Sequence, residues 1–162
     1  MRTAVRVLLA WFAVLGLGVG GWQAFAPASF YRDFPGLGRH WVSPDGPYNE
    51  HLLRDVGQGN LALGVLALVA LLAGGVWLAR AAGIAEVVDA VPHQLYHQAH
   101  LNALPASDRL PQTVALTVVT LTAVALAGLA FGLRATPPTR AASGARRRAH
   151  VQADGRAGRG RR

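Results

Sequence analysis

Three uncharged apolar runs constrain this chain more than any other feature. Residues 7–26, 61–79 and 114–133 hold no charged side chain over 20, 19 and 20 positions. At about 1.5 Å per residue, a helix of that length spans the roughly 30 Å hydrocarbon core of a bilayer. A soluble domain of 162 residues has too little interior to bury three such helices on every side. The runs predict an all-α integral membrane protein whose first partner is the lipid bilayer. The first run also carries marks of a signal peptide: Arg2, Arg6 and small residues at Ala24 and Ala26. It is longer than a signal core and is followed by Pro27, so a retained helix is expected.

Residues 83–102 decide the topology. Their hydropathy is weak because they carry Glu86, Asp89, His93, His97 and His100. Arg2 and Arg6 place the N-terminus in the cytoplasm. Residues 135–162 carry eight arginines against one acid, Asp154, and favour the same side. Both ends inside require an even number of spans. The expectation is a four-helix bundle in the plasma membrane, with spans at about 5–26, 56–79, 83–102 and 112–134, and an outer loop at 27–55. Twelve arginines then lie inside, and Arg32, Arg39, Arg54 and Arg109 lie outside. The rival has three spans, with 83–102 lying flat as an interfacial amphipathic helix. The tail at 135–162 is rich in Arg, Gly and Ala and is expected to be disordered. Its arginines suit anionic lipid headgroups or nucleic acid. A topology signal accounts for them, and no nucleic-acid partner is expected.

The outer loop carries Phe30, Tyr31, Phe34, Trp41 and Tyr48, with Trp22 and Phe25 just before it. These rings suit the headgroup zone, as anchors of a solvated loop or as parts of a structured lid. Ser43-Pro44-Asp45-Gly46 reads as a tight turn. Asn49 can cap a helix in which Glu50 pairs with Arg54, so the second helix should begin near Glu50. Gly16/Gly20 and Gly128/Gly132 are small-xxx-small pairs, either joining the first and last helices or forming dimer faces. Thr113, Thr117 and Thr120 share one helix face.

From Glu86, the steps through Asp89, His93, His97 and His100 are 3, 4, 4 and 3 residues. On a helix all five fall within roughly an 80° arc. Ionisable groups in a bilayer are costly, so such a stripe calls for a reason. Pro92 should bend this helix near Val88. On the second helix His51, Asp55 and Gln58 share a face, and antiparallel packing would bring His51 and Asp55 to the depth of His97 and His100. The candidates for ligand binding or proton linkage are therefore His51, Arg54, Asp55, Glu86, Asp89, His93, His97 and His100.

Four chemistries fit this pattern. His51, Asp55, His97 and His100 would suit a divalent metal such as zinc. His51 or His40 against His93 or His97 would suit haem, and a membrane oxidoreductase subunit holding haem or quinone is the enzyme reading. Imidazoles and carboxylates at every turn can relay protons. A self-satisfied stripe would instead mark a structural or assembly protein, a homo-oligomer or the companion of a membrane partner. The leading reading is a polar site near the outer face that takes a metal ion or a small ligand. There is no cysteine, which excludes disulfides, iron–sulfur clusters and thiol nucleophiles. Without a nucleophile elbow, phosphate loop or HExxH, a soluble-type hydrolase is not expected.

Residues 34–42 (FPGLGRHWV), 45–57 (DGPYNEHLLRDVG) and 92–101 (PHQLYHQAHL) carry a resemblance. Over about residues 1–134 the chain resembles a group of small four-helix membrane proteins from actinobacteria. The resemblance implies four spans and no particular reaction. The chain is similar to DoxX-like four-helix membrane proteins in architecture alone.

Overall fold

The computed structural model describes residues 1–134; the tail at 135–162, expected to be disordered, lies outside the described residues. The described residues form five α-helices: α1 (Thr3–Phe25), α2 (Pro27–Asp33), α3 (Glu50–Ala73), α4 (Val76–Ala99) and α5 (Ala106–Phe131). Of these, α1, α3 and α5 are long and apolar enough to cross a membrane. Helix α4 has 24 residues, as many as α3, but bears the polar stripe. Between α2 and α3 lie a small hairpin, β1 (Pro35–Gly36) paired with β2 (Arg39–His40), and a 3-10 turn at Ser43–Asp45.

Helix α3 begins as its residue types predict. Asn49 Oδ1 accepts the Leu52 N–H at 3.1 Å, and Arg54 pairs with Glu50 at 2.8 Å. Its end corrects the expected span at 56–79. The apolar run breaks at Gly74, whose φ of +68° is a left-handed helix cap that glycine adopts at little cost. The next helix opens two residues later. The break falls at the Gly74-Gly75 pair, and the helix that carries residues 83–102 begins at Val76. Helix α5 likewise opens at Ala106, ahead of the expected 112, with Pro111 inside it.

The long helices form two tight pairs. In the first, α1 lies against α3 at glycines. A Cβ on Gly64 would sit 2.7 Å from the Leu17 backbone nitrogen, and one on Gly57 would sit 2.5 Å from that of Ala24. In the second, α4 lies against α5. Gly83 backs onto Ala127, where a Cβ would meet its Cα at 2.8 Å. Gln94 Nε2 donates to Thr117 Oγ1 at 2.8 Å, Gln98 Nε2 to Thr113 Oγ1 at 3.3 Å, and Thr120 Oγ1 to the Ala90 carbonyl at 3.3 Å. These bonds zip the antiparallel seam. The glycine expectation is corrected here: Gly16 and Gly20 meet α3, not the last helix, and Gly128 faces open space. A small-residue pair allows close approach without naming the partner.

One end of the bundle, its base, is closed by a continuous apolar core. Val5, Leu9 and Phe12 of α1 meet Ala67 and Ala70 of α3, Ala79 and Ala82 of α4, and Ala123, Leu126 and Ala130 of α5. Arg80 ties the base together. Its guanidinium donates to the carbonyls of Ala130 at 3.2 Å and Leu133 at 2.8 Å, and lies over the Trp77 ring. It thereby serves carbonyls left without helical partners at the end of α5. At the other end a cavity separates the two pairs, and residues 27–49 cap it.

Candidate functional site

The cap is packed from within. Trp22 meets Phe30 edge-on at 5.6 Å, Phe30 meets Phe34 at 4.6 Å, and Phe34 meets Trp41 at 6.1 Å between ring centroids. Tyr31 packs on Tyr48, and its hydroxyl donates to the Gly46 carbonyl at 2.7 Å. Of the two expectations for this segment, the packing of its rings on one another is that of a structured lid. Among these rings Phe25, at 78%, and Tyr48, at 42%, stay exposed. Arg39 pins the lid to the opposite helix pair through an ion pair with buried Asp108 and a hydrogen bond to the Ser107 carbonyl at 3.3 Å. Arg54 of α3 ties to the end of α1 by donating to the Ala24 carbonyl at 2.6 Å.

Beneath the lid lies a cavity of about 520 Å³. Its apolar wall includes Phe12, Leu15 and Val19 of α1, Leu63 of α3 and Leu116 of α5. The rings of Phe30, Phe34 and Trp41 line it from the lid. The polar side chains that reach it are Gln23, Asp45, Asn60, Glu86, Asp89, His93, His97, Gln112 and Thr120. Asn60 donates to Gln23 Oε1 at 3.0 Å. The His93 and His97 rings lie 4.7 Å apart. Gln112 is 3% exposed. Its Oε1 and the indole Nε1 of Trp41 are buried with no hydrogen-bond partner.

Half of the expected site is therefore brought together. Glu86, Asp89, His93 and His97 share the cavity wall; His51, Arg54, Asp55 and His100 do not. His51 turns outward and pairs with Asp55 at 3.3 Å, its side chain 88% exposed. His100 stacks on Tyr96 at 4.1 Å, and its Nδ1 bonds the Tyr96 carbonyl at 2.7 Å. Among the described residues no group of three or more His, Asp or Glu is placed to hold a metal. The expected ligand set His51, Asp55, His97 and His100 is thus corrected. Rotation about the α3 axis turns its His51–Asp55 face away from the cavity. The same rotation removes His51 as a haem partner, and Nδ1 of His40 is taken by the Arg32 carbonyl.

Sequence reasoning passed over Gln23, Asn60 and Gln112, because it searched the apolar runs for charge. An amide carries none, yet Gln23 lies inside the first run and Gln112 at the edge of the last. Counting hydrogen-bonding groups in place of charges would have found all three. No family model, curated protein or solved structure matches this chain. Chemically, the cavity offers an apolar body, aromatic faces, carboxyls, imidazoles, and one donor and one acceptor left over. That set offers an occupant both apolar contact and hydrogen-bonding or proton-exchanging groups.

Proposed function

We propose that this chain is a four-span plasma-membrane protein, both ends cytoplasmic, whose capped cavity binds a small amphipathic ligand in the outer half of the bilayer. The observation that carries the ligand reading is the capped cavity of about 520 Å³, two of whose lining residues, Gln112 and Trp41, each carry a buried polar atom with no partner, Oε1 and Nε1. Buried polar atoms in folded proteins are nearly always paired, and each one left alone costs about 1–3 kcal/mol. A ligand that accepts from the indole and donates to the amide relieves both.

The fourth span is supported by the outward face of α4. Trp77, Ile84, Val88 and Leu95 share one face and are exposed, Trp77 at 70% and Val88 at 67%. The polar stripe faces the opposite way, into the cavity. An apolar exterior with a polar interior is the arrangement for a helix surrounded by lipid. Low average hydropathy then reflects the cavity side alone. Arginine placement agrees: Arg2, Arg6, Arg80 and Arg134 lie at the base, and Arg32, Arg39, Arg54 and Arg109 at the lid end.

Two experiments test these statements. A reporter fused after Arg109 should be active outside the cell; activity only in the cytoplasm would overturn the four-span topology. Native mass spectrometry of the full chain, extracted with its own lipids, should show a discrete bound species besides phospholipid. A chain that flies bare under gentle extraction would count against the ligand reading.

A further inference from the structure

We infer that the cavity takes a lipophilic organic cation, a protonated amine on an aromatic or alkyl body, an assignment that rests on the cavity being a ligand site. Its charge is the first ground. Asp45 reaches it from the lid, and Glu86 and Asp89 from α4. The sequence has no lysine, and among the described residues no arginine lines the cavity. Among the described residues the ion pairs are Arg39–Asp108, His51–Asp55 and Arg54–Glu50. Among the described residues the three cavity carboxyls therefore have no arginine paired with them, and the basic groups on the same wall are the imidazoles of His93 and His97. Glu86 is 6% exposed, and a buried carboxylate without a positive partner is costly. A ligand ammonium supplies that partner through charge-assisted hydrogen bonds.

The second ground is independent of charge. The orphaned Gln112 oxygen is an acceptor and calls for an N–H or O–H from the occupant. The third is the lid. The rings of Phe30, Phe34 and Trp41, with Phe12 below, present aromatic walls, which attract cations through their quadrupoles. An anion would meet carboxyls and aromatic faces with no arginine to offset them. A neutral amphiphile would satisfy Gln112 and leave the carboxyls unpaired. The Trp41 N–H remains for an ether, carbonyl or hydroxyl oxygen on the ligand, or for water.

The test uses three probes with one body and three heads: 4-phenylbutylammonium, 4-phenylbutanol and 4-phenylbutyrate. Each is titrated by equilibrium dialysis into the full chain in a neutral detergent, against empty micelles. The amine should bind saturably and at least about tenfold more tightly than the alcohol, with the carboxylate weakest. Asp89→Asn and, separately, Glu86→Gln should erase much of that advantage while keeping the melting temperature near wild type. Binding of the alcohol or carboxylate as tight as that of the amine would overturn the cation assignment and leave the cavity reading standing. Amine binding unchanged in both variants would place the charge elsewhere and overturn it as well. If no probe binds, the assignment falls, and the mass spectrum of the extracted chain then decides whether the cavity reading falls with it.

Discussion

Gly64→Ile is expected to abolish most of the folded protein. The α1–α3 pair rests on backbone meeting backbone. A Cβ at Gly64 would lie 2.7 Å from the Leu17 nitrogen and 2.8 Å from the Gly16 carbonyl carbon. No flexible side chain is there to yield, so the helices must separate. Separation would expose the Asn60–Gln23 bond, loosen the Arg54 tie to Ala24 and open the cavity wall. Overpacking of this kind costs on the order of 3 kcal/mol. Gly128→Ile is the control, because nothing lies within 4 Å of its Cβ position. It should cost less than about 1 kcal/mol. Denaturant titration in mixed micelles reads both. Equal losses at the two positions would mean that close approach of α1 and α3 does not hold the bundle together.

Gln112→Leu should have two opposite effects. Without ligand the protein should become more stable, by about 1–2 kcal/mol, because the substitution removes a buried acceptor that has no partner and keeps nearly the same volume. Ligand binding should weaken by about tenfold or more, since the occupant loses its hydrogen bond at that wall. Few purely structural residues raise stability and lower binding when replaced. Melting curves with and without a bound species separate the two effects. A variant that melts earlier and still binds as wild type would make Gln112 a structural amide and remove the main support for the cavity as a site.

Much of the architecture was legible in local spacing. Runs free of charge picked out the helices that now read as α1, α3 and α5. The 3, 4, 4, 3 steps put Glu86, Asp89, His93 and His97 on one face, and that face does line the cavity. Asn49 and Arg54 were readable because capping and i,i+4 pairing act within one turn. These features depend on neighbours in sequence, so periodicity and residue type suffice.

The rest depended on rotation and partner choice. The His51–Asp55 pair turns outward, because glycines at 57 and 64 press the far side of α3 onto α1. The link from Arg39 to Asp108 joins residues far apart in the chain, and nothing near either one announces it. Gly74 breaks an apolar run that composition treats as continuous. A linear pattern specifies which residues share a face. It does not specify which way that face points, since the azimuth of each helix follows from close packing against its neighbours. For that reason the polar stripe could be read from the chain, but the cavity, its lid and the orphaned amide of Gln112 came into view only once the helices were packed.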